Sequence, residues 1–290
     1  MLSRITIFCF FASYGVTLLL EISRLFFRAP VRMAVIIVFA AAGLFAHTVY
    51  LWLRVQDQLP SVTALSNWHD WCLLAAWVLA AAYVWLAVTR PQTAVGVFIL
   101  PLILSLVGAA RLLLESPSFS AEQTRTIWGA IHGSVLLAGT IVVMFGFVAG
   151  VMYLVQSYRL KHKLPPSEGL KLPSLEWLQK ETERALVISS ILLGLGLASG
   201  IVLNLVKSNT AVSWTDPVVA TSGILFVWLL AALCFNYVYK PARRGRKVAY
   251  LVVASFLFLV LELGIVLFAQ HATSVSANPV AADIVSGGEQ

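Results

Sequence analysis

The sequence predicts an all-α membrane protein, a bundle of helices that crosses the bilayer about eight times. Apolar residues make up 60% of the chain and charged residues only 11%, against roughly 25% charged residues in a soluble domain. The apolar residues come in blocks of about 20, the length of a helix that spans a bilayer. Backbone polar groups in lipid must be satisfied within their own segment, so these blocks are helices. This composition excludes a soluble enzyme, a disordered chain and an ordinary nucleic-acid binder.

The eight predicted spans follow the apolar blocks in order along the chain. They cover residues 5–22, 33–54, 70–88, 94–112, 130–156, 186–206, 217–239 and 248–270. The first block differs from a cleaved signal peptide because it lacks an A-x-A site and leads directly into Glu21 and Arg24. We therefore expect a retained helix, and a single membrane domain over residues 1–290.

The distribution of basic residues predicts the orientation. Fifteen of the 20 Lys and Arg residues fall in one set of loops, and the other set holds Arg4, Arg54, Arg111, Arg125 and Lys207. Cytoplasmic loops carry the excess of Lys and Arg. Both termini are therefore expected outside the cell or in the periplasm, and the protein in the cytoplasmic (inner) membrane of a bacterium. This topology also accounts for the net charge of +7.

One cytoplasmic connection, residues 157–185, is long enough to have structure of its own. It contains several prolines, and Ser174 followed by acidic residues is typical of a helix start. The stretch after Ser174 is amphipathic, so we expect it to lie along the inner membrane surface.

Cysteine usage argues against a thiol-based site. Cys9, Cys72 and Cys234 are scattered, without a C-x-x-C or C-x-x-C-H motif. We expect three buried thiols that serve packing.

Histidines are the most informative polar residues at membrane depth. His132 and His271 lie at the outer ends of the fifth and eighth spans. His47 lies about 21 Å above the start of the second span, His69 is placed in the outer loop before the third span, and His162 is placed in a solvated charge run. A single such histidine is explained as an interfacial residue. Two on one face also fit axial ligation of one haem iron by His132 and His271, although metal and proton-relay roles use the same residue.

The outer loop between spans six and seven contains Trp214 and Asp216. Asp216 before Pro217 is typical of a helix start with an acidic N-cap and proline at the first position. Trp214 offers a flat apolar surface for a porphyrin, or it is an interfacial tryptophan beside a capped helix.

Together these residues resemble the cytochrome c assembly protein family, the CcsA, CcmC and CcmF type of haem-handling membrane proteins. The resemblance covers spans two to eight. It rests on Phe45-Ala-His47-Thr-Val-Tyr with the loop after it, Ile131-His132-Gly-Ser, Trp214-Thr-Asp216-Pro217 as a reduced tryptophan-rich signature, Arg243-Arg-Gly-Arg-Lys247, and His271. Val218-Val219 replaces Lys-Glu after that signature, and Cys234-Phe-Asn236 occupies the place of a further intramembrane histidine. The pattern is closer to a short, divergent HemX/YpjD-like branch.

The resemblance implies noncovalent binding of haem b near the outer leaflet. His132 and His271 would supply the axial nitrogens, with Trp214, Trp128 and Trp68 around the ring and His47 as a transit ligand or proton donor. The outer-side cations Arg54, Arg111, Arg125 and Lys207 are candidates for the propionates. The partners implied are haem and a membrane component of a cytochrome c assembly system or apocytochrome c. No catalytic residue is predicted in this chain, which would act in haem delivery or as a subunit of a haem lyase.

Two other functions stay open. One is a HemX-type regulator of tetrapyrrole synthesis that acts through residues 157–185. The other is a small-molecule transporter with His47 and Glu262 as a proton relay. Glu262 lies nine residues before His271, half a helical turn away in direction, so we expect it to pair with a polar group on a neighbouring helix.

Overall fold

All regular secondary structure in the described part of the chain is helical, without a strand. A computed structural model describes residues 6–26, 31–58, 67–114, 127–163, 170–206, 217–238 and 246–276, with positions 58, 127, 206, 217, 218, 263 and 265–276 described by backbone alone. The eight helices in these ranges are α1 Ile7–Ser23, α2 Arg32–Gln58, α3 Trp68–Thr89, α4 Gly96–Leu112, α5 Ile127–Lys161, α6 Leu175–Val206, α7 Pro217–Val238 and α8 Arg246–Ser276. The all-α prediction is confirmed.

Length and hydropathy identify several of these helices as membrane spans. Within the described residues, five long apolar segments in α2, α3, α5, α6 and α7 can cross a bilayer, and α1 and α4 are shorter apolar helices. Large apolar side chains such as Phe8, Leu19, Trp52 and Val227 are exposed on the outside of the bundle. An apolar perimeter is stable against lipid tails, so the chain is a multi-pass membrane protein. The count of eight crossings and the orientation stay predictions.

The helices form two groups of four that follow the chain order. In one half α1 packs on α2 and α4, and α3 packs on α2 and α4; in the other, α5 packs on α6 and α8, and α7 packs on α6 and α8. The main contact between the halves is made by α3 and α4 against α5. For example, Trp71 of α3 covers Gly133 of α5.

Contacts between helix termini define two opposite ends of the bundle. At the His132 end, an ion pair between Arg54 and Asp70 joins the end of α2 to the start of α3. At the Arg24 end, the Arg24 guanidinium donates to the carbonyls of Pro91 and Thr93 in the turn between α3 and α4. Helices α2 and α3 each have one terminus at either end, so chain position along them gives the depth of a residue.

Two segments differ from the predicted boundaries. Residues 157–161 continue α5 as helix, and α6 begins at Leu175, eleven residues before the predicted span. The predicted helix start at Ser174 is found there, where the Trp177 N–H donates to the Ser174 hydroxyl at 3.3 Å. Charged residues beyond an apolar block thus continue its helix.

The expectation of three buried cysteines is wrong for two of them. Cys9 and Cys234 are exposed on the bundle surface, and Cys72 is half-buried. A thiol is small and weakly polar, so it is tolerated against lipid as well as in a core.

Candidate functional site

His132 lies in the second turn of α5 and faces α6. Its Nδ1 is 2.8 Å from the carbonyl oxygen of Gly196. A carbonyl only accepts, so Nδ1 carries the proton and donates it, which leaves the lone pair of a neutral ring on Nε2. Metal-ligating histidines are oriented in this way, with one ring N–H on a backbone carbonyl and the other nitrogen on the metal.

Small residues on α6 make this contact possible. Gly196, Ser199 and Gly200 share one face of the helix, as residues three and four apart do. A Cβ on Gly200 would stand 2.8 Å from Cε1 of His132, so any larger residue displaces the ring. The Ser199 hydroxyl donates to the Gly196 carbonyl at 2.7 Å and lies 3.3 Å from His132 Nδ1. Small and hydroxyl-bearing residues commonly mediate such close helix contacts in membranes.

Aromatic side chains lie at the same end of the bundle. Trp128 is four residues before His132, hence on the same face of α5, and it is 43% exposed. On α3, Trp68 and Trp71 are adjacent, with ring centroids 6.3 Å apart, and Trp71 packs on Gly133 beside His132. This end therefore combines an oriented imidazole with apolar ring surfaces.

Five of the residues predicted around a haem lie outside the described residues, in whole or in part. Trp214, Asp216, Arg125 and Lys207 fall in segments outside them. His271 belongs to the last turns of α8, whose side chains are outside the description. The pairing of His132 with His271 therefore stays a prediction. Among the described side chains, no group of three or more His, Cys, Asp or Glu residues is arranged to hold a metal ion.

The described residues at the His132 end fit haem as the bound group. Haem iron needs one or two axial ligands from the protein, unlike a bare metal ion, which needs three or more. His132 has its tautomer fixed and is half-buried near the end of the bundle. It is thus suited to be an axial ligand.

His47 lies in the other half of the molecule, away from His132. It is fully buried on α2, stacked on Phe10 of α1 with 4.2 Å between ring centroids. The Tyr14 hydroxyl is 3.4 Å from its Nδ1. Its contacts are with α1, and none of those described involves the His132 face.

His69 was wrongly placed in a loop, and it is a buried residue in the first turn of α3. Its Nδ1 donates to the carbonyl of Ala110 in α4 at 2.7 Å, the same arrangement that His132 makes with Gly196. Asn67, with extended backbone before the helix, and Asp70 in the first turn are start signals that would have predicted a helix from residue 68.

Two cations named as propionate candidates have partners of their own. Arg54 forms its ion pair with Asp70, which is buried. The Arg111 guanidinium lies 5.8 Å from the ring centroid of Phe8. Glu262 accepts a hydrogen bond from Ser222 of α7, so the predicted polar partner on a neighbouring helix is confirmed.

Fold and site together define a polytopic helical membrane protein with a histidine oriented for ligation at one end of its bundle. Comparison with known proteins identifies the family: residues 65–271 match the Cytochrome C assembly protein family. The match covers most of the chain, which therefore belongs to that family. It begins before α3 and ends at His271, and it leaves α1, α2 and His47 outside.

One relative is similar to this chain over most of its own length. An uncharacterised 28.8 kDa protein in a nifR3-like 5′ region of Azospirillum brasilense is 26% identical over 234 residues, which cover 77% of this chain and 85% of that protein. No solved structure matches the chain.

Proposed function

We propose that the protein binds haem b noncovalently and presents it at the extracytoplasmic face of the bacterial inner membrane for cytochrome c assembly. The observation that carries the proposal is the hydrogen bond from His132 Nδ1 to the Gly196 carbonyl, 2.8 Å long, in a chain of the cytochrome c assembly family. It holds the ring in the tautomer whose Nε2 ligates iron.

The proposed site is assembled from residues of α5, α8 and the connection between α6 and α7. In this proposal His132 and His271 would hold the haem iron, and Trp128 and Trp214 would supply apolar surface against the ring. Asp216, which the sequence predicts as the N-cap before Pro217, would position the segment that carries Trp214. Haem, when bound, supplies an iron centre that takes two axial nitrogens. The chain itself binds, orients and shields it.

The proposed role is delivery rather than catalysis. A covalent link to a cytochrome would use thiols of the partner, because Cys9, Cys72 and Cys234 form no dithiol motif in this sequence. The partners in this proposal are a membrane component of the assembly system and apocytochrome c.

The test is the absorption spectrum of the detergent-purified full-length protein after addition of haem. The wild type is expected to show a Soret band with a bis-histidine low-spin spectrum, which His132→Ala and His271→Ala each lose or convert to high spin. His162→Ala is the matched control, since His162 is exposed beside Tyr158 at the end of α5. A spectrum unaffected by the first two changes would remove the axial assignment.

A regulatory role has one structural observation in its favour. The first turns of α6 are exposed and charged, with ion pairs Glu176–Lys180 and Glu181–Arg184. A soluble enzyme of tetrapyrrole synthesis can dock on such a surface, as a HemX-type regulator requires. Capture of such an enzyme by the full-length protein, lost in a variant with Lys180 and Arg184 changed to Glu, would favour this alternative.

The transporter alternative needs His47 and Glu262 in one relay. His47 contacts α1, whereas Glu262 pairs with Ser222 in the opposite half. The described contacts do not connect them, so this pair does not support a relay.

A further inference from the structure

Three buried atoms of ionisable side chains in the α1–α4 half have no hydrogen-bond partner among the described residues. They are Oε2 of Glu21, Nε2 of His47 and Nε2 of His69. Each of these residues is at most 1% exposed. An unsatisfied buried polar atom is destabilising, and ionisable residues inside a membrane protein commonly mark proton or ion pathways.

The three groups lie at successive depths between the two ends of the bundle. His69 is in the first turn of α3, at the His132 end. His47 lies about two turns deeper than Arg54, the residue of α2 that pairs with Asp70 beside His69. Glu21 is in the last turn of α1, at the Arg24 end. Glu21, His47 and His69 therefore form a row that extends from one end of the α1–α4 half to the other.

Hydroxyl groups lie between these ionisable residues. The Tyr14 hydroxyl is 3.4 Å from His47 Nδ1, and Tyr83 donates to Oε1 of Glu21 at 2.9 Å. Tyr14, Thr17 and Glu21 share one face of α1, and all three are buried. A hydroxyl both donates and accepts, so it can pass a proton on.

Charged groups lie near Glu21 and near His69, at the two ends of this row of residues. Arg24 lies 3.6 Å from Oε2 of Glu21, and its side chain is 19% exposed. At the other end, Arg54, Asp70 and Arg111 act electrostatically on His69, and Tyr50 lies on α2 between Arg54 and His47. Both ends thus reach groups in contact with the surface.

We propose that the α1–α4 half is a proton pathway in which His69, His47 and Glu21 are the successive proton carriers. A proton binds to Nε2 of His69 and passes through His47 and the Tyr14 and Thr17 hydroxyls to the Glu21 carboxylate, or in the reverse direction. Water molecules or side-chain rotation bridge the steps longer than one hydrogen bond. Each carrier returns to its starting state after release, so the proton is the only species transferred.

The proposal is independent of haem binding, because neither His132 nor His271 takes part. Glu21 of α1 and His47 of α2 also lie outside the range that matches the cytochrome c assembly family. Haem binding and proton passage can therefore fail separately: the absorption spectrum reports the first, and ion flux reports the second.

Proton flux into proteoliposomes tests the pathway. The full-length protein is reconstituted with a trapped pH-sensitive dye, and a potassium gradient with valinomycin drives protons inward. The wild type is expected to acidify the lumen faster than protein-free liposomes. Glu21→Gln, which keeps an oxygen for Tyr83 but cannot carry a proton, and His47→Gln are each expected to reduce the flux to the protein-free level.

Glu262→Gln is the matched control, since Glu262 is an intramembrane carboxyl in the other half. It should retain the wild-type flux. Circular dichroism and gel filtration of every variant separate loss of a carrier from loss of fold. Wild-type flux no greater than that of empty liposomes, undiminished flux in a folded Glu21→Gln variant, or an equal loss in Glu262→Gln would each overturn the proposal.

Discussion

Gly200 leaves the space on α6 in which the ring of His132 lies, and a Cβ at that position would be 2.8 Å from the ring. The position of the His132 ring therefore depends on Gly200. Four residues earlier on the same helix, the carbonyl of Gly196 accepts a hydrogen bond from Nδ1 of that ring. Gly200 fixes where the imidazole lies, and the Gly196 carbonyl fixes which nitrogen carries the proton.

Gly200→Ala is expected to weaken haem binding although it leaves His132 in place. The added methyl group pushes the ring away from the Gly196 carbonyl, and loss of such an orienting contact lowers metal affinity by about tenfold or more. Haem titration followed at the Soret band measures the effect. Gly223→Ala is the control, since no described atom lies within 4 Å of its Cβ position; equal affinity in both variants would contradict the orienting role.

Gly96→Ala is expected to destabilise the α1–α4 half. A Cβ on Gly96 would stand 2.7 Å from the Glu21 carboxyl, and overpacking of this kind costs about 1–3 kcal/mol. Thermal unfolding in detergent measures the change. Gly108→Ala, on the same helix but with open space at its Cβ among the described residues, should be neutral or slightly stabilising, and a similar loss there would point to a general effect of the methyl group.

Arg54→Ala is expected to destabilise the His132 end more than the double variant Arg54→Ala, Asp70→Asn. Asp70 is 2% exposed, so loss of Arg54 removes the ion-pair partner of a buried carboxylate. The cost should be about 2 kcal/mol, below that of a fully buried pair because the Arg54 side chain is 23% exposed. Thermal unfolding of the wild type and the single and double variants measures the coupling, and strictly additive losses would show that the pair contributes nothing.

Glu262→Leu is expected to weaken the contact between α7 and α8 by about 1 kcal/mol, the usual size of a hydrogen bond between membrane helices. Glu262→Gln should keep most of it, because an amide oxygen still accepts from Ser222. Unfolding in a graded detergent series distinguishes the two. A larger loss in the glutamine variant than in the leucine variant would show that charge rather than hydrogen bonding matters there.

The helices could be predicted from the sequence because the bilayer determines how long and how apolar a spanning segment must be. The helix ends could not be predicted, since a helix can continue beyond its apolar block. Residues 176–184 carry Glu176–Lys180 and Glu181–Arg184 pairs at helical spacing, which extend α6 beyond its apolar block. The end of the apolar block is therefore not the end of the helix.

The candidate site was predicted in part for a similar reason. The position of His132 follows from the helix start, but its contact with Gly196 requires the relative placement of α5 and α6, which local patterns do not contain. His69 was placed in a loop because the apolar block of the third span begins after it, although Asn67 and Asp70 signal a helix start at residue 68. The direction of Glu262 could be predicted, because helical rotation alone determines it.

The division into two groups of four helices has a consequence for biogenesis. Because the first group makes most of its contacts within itself, it can pack in the bilayer while the second is still being translated, as amino-terminal units generally do. The ion pair of Arg54 with Asp70 and the contact of Gly96 with Glu21 would then form before His132 leaves the ribosome. Insertion of the later helices would add the helix face that carries His132 to a group of helices that is already packed.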